Sequence, residues 1–375
     1  MGWNSYCTCN CEPSEKIMTD AADALVDLGL RDAGYEYVNL DDGWLEVDRD
    51  AEGRLVSRDA IFPHGMKWLT DYIHNKGLKA GIYLGCGQKT WNGDAGSLGH
   101  EFEDAKQIAE WGFDYLKYDR HPMDGDGLRD TMEEYIKMGL AVKNCGRDIV
   151  YNLCEHGTTK PWLWAHGVGQ LWRIGGDIRD NYASEFGGGR GIMDILDQYS
   201  FESSPYTAIG SFNDPDMLVV GMKGCTEWMG PGMTDDEYRT HFSMWCMLAA
   251  PLLIGANPNM LDETNLAVLK NKNLIAIDQD PLCKPAKRIS SEYHGKEVWI
   301  RQLSDFRWTV AVINRGDHPN EFDFRWEDLN LSPNINMALR DEWTNEVIEN
   351  VRARHRFAIK PHETKVFTLT PAYNN

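Results

Sequence analysis

The sequence predicts an α/β fold: a (β/α)8 TIM barrel followed by a small C-terminal antiparallel β-sandwich domain. Three observations predict it. Strand-like and helix-like segments alternate with short connections over roughly the first 280 residues, the pattern of repeated parallel βα units. From about Lys284 the helices stop and short β-rich runs take over. No G-x-G-x-x-G or G-x-x-x-x-G-K-[ST] motif marks an open nucleotide-binding sheet. The 375 residues also exceed what one core usually holds, so the chain divides into 1–283 (barrel) and 284–375 (β domain).

The elements follow from periodicity and punctuation. Ile17, Ala21, Leu25 and Leu28 recur at helical spacing and Gly29 closes that helix. Tyr35–Asp41 is β-rich and ends in acids. After the turn at Pro63-His64-Gly65, Trp68–Lys76 reads as a helix closed by Gly77, and Leu78–Leu84 as a buried strand. Helix Glu101–Trp111 ends at Gly112, and strand Phe113–Asp119 follows. Helix Asp130–Cys145 precedes strand Ile149–Cys154, and Gln170–Ile174 is a short strand. Gly191–Tyr199 and Asp235–Leu248 are helical, with short strands at Ala208–Phe212 and Pro251–Ile254. In the C-terminal part, Val298–Leu303, Trp308–Ile313, Glu321–Phe324, Asn336–Leu339 and Lys365–Leu369 read as strands.

Composition excludes several function classes. Hydrophobic residues at 42% and charged residues at 26% exclude wholesale disorder. A net charge of −20 repels phosphate backbones and anionic lipid, so neither nucleic acid nor a membrane surface is an expected partner. No apolar run approaches the roughly 20 residues of a membrane span, and Met1–Tyr6 lacks the charged-then-apolar pattern of a signal peptide. Nine cysteines, an odd number in a chain too large to need staples, read as mostly free thiols in a reducing cytoplasm. Cys7, Cys9 and Cys11 alternate, but without C-x-x-C spacing or a near His they do not make a metal site.

In a parallel barrel the chemistry sits at the C-terminal ends of the strands. Those ends carry Asp41-Asp42, Tyr83 to Cys86, Lys117-Tyr118-Asp119, Cys154-Glu155-His156, Trp172-Arg173 to Asp177, and Asp214-Pro215-Asp216-Met217. Five of these six ends bear carboxylates. A single Asp there usually caps the next helix, but five sets converging with Lys117 and Arg173 exceed what capping requires. A Mg²⁺ or Zn²⁺ centre is a second reading, weakened because only His121 and His156 lie near. A third is glycoside hydrolysis by two carboxylates, with other acids and cations holding sugar hydroxyls. Trp3, Trp44, Trp111, Trp162, Trp164 and Trp172 lie near the same loops as potential sugar platforms, although each one alone is more often core.

The motifs MGWNS (1–5), NLDDGW (39–44), LKAGIYL (78–84), GSLGHEFEDAKQIAEWGFDYLKYD (96–119), CEHG (154–157), WRIGGDI (172–178), NDPDML (213–218), MLAAPLLIGAN (247–257) and LIAIDQDPL (274–282) occur in order. With them the chain resembles glycoside hydrolase family 27 of clan D, the α-galactosidases and α-N-acetylgalactosaminidases. DEWTNE at 341–346 resembles the family's late β-sandwich segment. Members carry a further strand before MGWNS, so the first barrel strand is expected to be truncated or very short.

The resemblance implies a retaining exo-α-galactosidase without cofactor or metal, acting on small oligosaccharides such as melibiose or raffinose. Asp119 matches the nucleophile and Asp177 the acid/base. Lys117, two residues before Asp119, is expected to lower its pKa. No cation adjoins Asp177, which is expected to hold its proton. Asp41 and Asp42 match the pair that binds the hydroxyls on carbons 4 and 6, and Lys117 adds contacts near carbons 3 and 4. Arg173 and Glu155 match residues facing carbon 2, where Glu155 favours galactose over N-acetylgalactosamine. Trp3 matches the sugar platform, Asp216 and Met217 the pocket wall, and Tyr83 a wall with a hydroxyl. Tyr6, Leu84-Gly85-Cys86, His156 and Phe212 depart from the family pattern at the rim. Rivals within the family are an α-N-acetylgalactosaminidase, a β-L-arabinopyranosidase and an isomaltose-releasing glucanase. A non-catalytic sugar-binding protein would have lost one of the two carboxylates. The resemblance leaves a homo-oligomer, joined through the β domain, open.

Overall fold

The computed structural model describes residues 1–120, 128–183, 185–199, 203–291 and 295–372. His121 lies outside them. Eight short strands build the first sheet: β1 (Gly2–Asn4), β2 (Tyr37–Leu40), β3 (Lys79–Gly85), β4 (Tyr115–Asp119), β5 (Val150–Cys154), β6 (Leu171–Arg173), β7 (Phe212–Asp214) and β8 (Leu253–Ile254). Every ladder is parallel, and the spatial order is β8-β1-β2-β3-β4-β5-β6-β7. At the remaining seam Leu218 closes the cylinder. Its N–H donates to the Leu253 carbonyl at 2.7 Å, and its carbonyl accepts from the Gly255 N–H at 2.8 Å. β1 is indeed very short, at three residues, yet pairs with both neighbours.

The outer layer holds α1 (Glu15–Asp27), α2 (Gly65–Asn75), α3 (Glu101–Trp111), α4 (Leu128–Lys143), α5 (Ile192–Gln198), α6 (Asp235–Met247), α7 (Glu263–Leu269) and α8 (Lys272–Asp278). The ends obey cap chemistry. Ser14 Oγ accepts from the Ile17 N–H at the start of α1, and Thr234 with Glu237 forms a reciprocal capping box on α6. Gly112 ends α3 at φ 95°, a left-handed conformation that glycine adopts without strain.

Two expectations need correction. The strand expected at Ala208–Phe212 begins at Phe212, because Ala208 and Ser211 bond to each other across a tight turn. Helices α7 and α8 were not expected. Each is only seven residues long and is started by a side-chain cap, Asp262 or Asn271.

The C-terminal strands are β9 (Lys287–Ser291), β10 (Lys296–Gln302), β11 (Trp308–Asn314), β12 (Asn320–Arg325), β13 (Asn336–Asp341), β14 (Val347–Arg352), β15 (Arg354–Ile359) and β16 (Thr364–Pro371). An antiparallel sheet in the order β9-β10-β11-β16-β13-β14 faces the pair β12-β15. Alternation along the strands splits their apolar residues between two cores. Val298, Val310 and Val312 join Phe322, Phe324 and Trp326 inside the sandwich. Trp299, Ala311, Ile313 and Val366 point the other way and merge with the barrel core.

Arg301, 1% exposed, anchors this junction. It donates to the Cys246 carbonyl at the end of α6 and, at 3.2 Å, to the Asp278 carbonyl at the end of α8. Cations suit helix C-termini, whose last carbonyls lack partners. Arg301→Ala takes a buried donor away from both carbonyls. It is expected to destabilise the protein by about 2–4 kcal/mol in denaturant unfolding, and a loss below about 0.5 kcal/mol would show that the anchor is not needed.

Candidate active site

The strand ends of the barrel open into a cavity of about 350 Å³. It is lined by Asp41, Asp42, Tyr83, Lys117, Asp119, Arg173, Asp177, Asp216 and Met217, nine of the sequence-predicted site residues. Strand geometry explains the convergence. Lys117 and Asp119 are two residues apart on β4, so both point inward, and register sets Tyr83 of β3 beside Lys117.

Two predicted residues lie elsewhere. Trp3 is fully buried in the hydrophobic core, and its indole N–H donates to the Ala256 carbonyl at 3.0 Å. Alternation on β1 sends Asn4 inward, where its amide donates to Asp41 at 2.8 Å, and sends Trp3 outward. Tyr6, not Trp3, lines the cavity next to this strand, with Lys117 Nζ 5.4 Å from its ring centroid. Glu155 fails by the same parity. His156 lines the cavity with the Cys154 thiol near it and Asp119, while Glu155 turns away and accepts from the Thr159 N–H at 2.7 Å. Burial pushes its carboxyl up to about 7. Trp44, Trp162 and Trp172 are also core. The tryptophan at the cavity is Trp91, 47% exposed and unmarked by any motif.

The two central carboxylates sit at different depths. The side chain of Asp119 is 8% exposed at the end of β4, and that of Asp177 is 35% exposed at the mouth. His156 Nε2 is 3.7 Å from Asp119 Oδ1 and 3.7 Å from Asp177 Oδ1, which caps the separation of those oxygens at twice that distance. His156 holds a left-handed φ of 58°. Gly157 follows it where a Cβ would stand 2.2 Å from the Ile174 carbonyl oxygen, so the loop needs glycine there.

The electrostatics differ from the sequence-based expectation. Lys117 Nζ pairs with Asp41 Oδ2 at 2.9 Å rather than with Asp119. Burial raises the Asp119 carboxyl, and the His156 and Lys117 charges only partly offset it. Burial also acts to raise Asp177, but Arg173, with His156 and Lys117 adding, outweighs it and holds that carboxyl well below the usual range. Arg173 Nη2 reaches Asp177 Oδ1 at 3.0 Å and Asp216 Oδ2 at 2.9 Å. Arg173 stands four residues before Asp177 in the chain, a contact that adjacency in sequence does not show.

Asp42 accepts from the Gly43 and Asn92 N–H groups at 2.8 and 2.9 Å, and burial pushes it up to about 6. Asp216, at φ 83°, accepts from Met217 and Ile178 at 2.8 Å each. The Tyr83 hydroxyl is buried and has no hydrogen-bond partner among the described residues. The cavity thus offers fixed acceptors and donors to a neutral polyol, beside two carboxylates of unequal depth.

Comparison with known proteins gives the family. Residues 2–280 match the family described as alpha galactosidase A, and residues 293–369 match the alpha galactosidase C-terminal beta sandwich domain. The chain is 40% identical to alpha-galactosidase 2 of Arabidopsis thaliana over 371 residues, covering 99% of this chain and 89% of that protein. It is 40% identical to the alpha-galactosidase of Coffea arabica over 372 residues, covering 99% and 93%. The crystal structure of alpha-galactosidase I from Mortierella vinacea superposes with a TM-score of 0.92 at 32% identity, covering 98% of this chain and 96% of that one. The chain belongs to the alpha-galactosidase family of glycoside hydrolases, with a TIM-barrel domain and a C-terminal β-sandwich.

Proposed function

We propose that the chain is a retaining exo-α-galactosidase that removes terminal α-galactosyl groups from small oligosaccharides. The observation that carries the roles is the difference in depth. A nucleophile must meet the anomeric carbon from the closed side of the ring, and an acid/base must meet leaving group and water at the open side. Asp119 is the deep carboxylate and Asp177 the one at the mouth.

Asp119 attacks the anomeric carbon while Asp177 protonates the departing oxygen, leaving a β-galactosyl ester on Asp119. Asp177, now ionised, takes a proton from water as that water attacks the same carbon. Galactose leaves with its α configuration and both carboxyls return to their starting state. Burial raises the Asp119 carboxyl and Arg173 lowers that of Asp177, and His156 Nε2 stands 3.7 Å from an oxygen of each.

Asp41 and Asp42 supply rigid acceptors, and Lys117 a donor, that recognise the axial 4-hydroxyl and the 6-hydroxyl. An epimer would leave these buried groups unpaired, the strongest form of discrimination open to a neutral-sugar site. Three relatives at 40% identity are named alpha-galactosidases, which supports galactose. Nine cysteines, all free thiols, support the cytoplasm as its compartment.

A panel of nitrophenyl glycosides tests the reading. The α-galactoside is expected to be hydrolysed with the highest kcat/KM, with α-galactose as first product by NMR. Preference for the N-acetylgalactosaminide, the β-L-arabinopyranoside or an α-glucoside would overturn the sugar, and β-galactose as first product would overturn retention.

A further inference from the structure

The thiol of Cys154, beside the cavity, has no part in that mechanism. Cys154 ends β5, is 1% exposed, and is the register partner of Asp119 at the end of β4. His156 lies two residues on and faces the same side. A carboxylate oxygen of Asp119, the sulfur of Cys154 and a ring nitrogen of His156 all lie within 4.8 Å of one another. Tetrahedral zinc holds its ligands about 3.3–3.8 Å apart, so the three donors need to close by no more than about 1.5 Å.

The donor set has a chemical preference. One sulfur and one imidazole nitrogen select a borderline-soft divalent ion of the zinc type, while magnesium and calcium favour all-oxygen sites. Five carboxylates and three cationic side chains line the cavity, a surplus of negative charge that favours an entering cation. Arg173 Nη1, 3.7 Å from the sulfur, helps hold the thiolate once the metal has displaced its proton to solvent. The mouth leaves room for water as fourth ligand.

We propose that Asp119, Cys154 and His156 form a binding site for a zinc-like divalent cation, and that its occupation shuts off hydrolysis. Binding requires only the three ligands. The inhibition rests on Asp119 as nucleophile, because a metal on that carboxylate removes the attacking lone pair. The site is inhibitory rather than catalytic, so a chelator relieves added metal and leaves untreated enzyme unchanged.

The full chain, freshly reduced, is titrated with Co²⁺ as a spectroscopic probe and then with Zn²⁺ as competitor. A saturable thiolate-to-cobalt absorption band is expected, bleached by Zn²⁺ and absent in Cys154→Ala. In His156→Ala the affinity is expected to fall at least about tenfold. No thiolate band at millimolar Co²⁺ would overturn the site. So would a band unchanged in both variants, which would move the metal to other cysteines such as Cys7, Cys9 and Cys11. His156→Ala keeps the test decisive if Cys154→Ala fails to fold. Zn²⁺ that binds with these properties but leaves turnover intact would overturn the inhibition and the nucleophile reading together, while the site would stand.

Discussion

Asp119→Asn is expected to lower kcat on nitrophenyl α-galactoside by about 10⁴-fold or more, the scale seen when a group that acts in the bond-forming step is removed. The substitution keeps size and shape at a side chain only 8% exposed, so the cavity and its polyol contacts persist. Galactose should therefore still bind, and KM should move far less than kcat. Asp119→Gly opens a further test. Added azide enters where the carboxylate stood, attacks from the deep side and yields β-galactosyl azide. Residual kcat within tenfold of the parent enzyme would remove Asp119 from the nucleophile's role.

Asp177→Asn divides substrates by their leaving group. A sugar alcohol needs a proton to depart, so kcat/KM on raffinose is expected to fall by about 10²–10⁴-fold. A nitrophenolate departs with little help, so its first step largely survives. The second step still lacks its base, so the galactosyl-enzyme accumulates and KM falls with kcat. Azide then attacks the β-linked intermediate from the open face and gives α-galactosyl azide. The two variants must therefore give azides of opposite configuration. The same configuration from both would mean that the roles are not divided between these residues. Loss of Asp177 also frees Arg173, which keeps Asp216 at 2.9 Å and the Gly175 carbonyl at 3.0 Å, so the cavity wall stays paired.

Most of the barrel was legible because its strands are buried runs and its longer helices carry apolar stripes with caps. Helix Glu101–Trp111 agrees at both ends with the spacing of Ala105, Ile108 and Ala109 and with Gly112. The later strands Val347–Arg352 and Arg354–Ile359 were invisible because alternate positions are charged or only half-buried, leaving no continuous apolar signal. Within the site, every residue on a strand or fixed by a motif was placed at the cavity except Trp3 and Glu155. Both errors are parity errors at strand ends, where one residue decides which way a side chain points. Charge partners were harder to read. Lys117 lies two residues from Asp119 in sequence, yet its ammonium bonds to Asp41, 76 residues away.

The six-stranded sheet of the C-terminal domain has no face of its own to spare. One side packs Val298, Val310 and Val312 into the sandwich, and the other lends Trp299, Ile313 and Val366 to the barrel. The two units are therefore not interchangeable modules. A barrel given a foreign β domain would have to recover every second residue of these strands, and a β domain cut free would present a sticky wall to its neighbours. Heredity can vary the loops around the cavity one at a time, but it has to pass on this seam as a single inheritance.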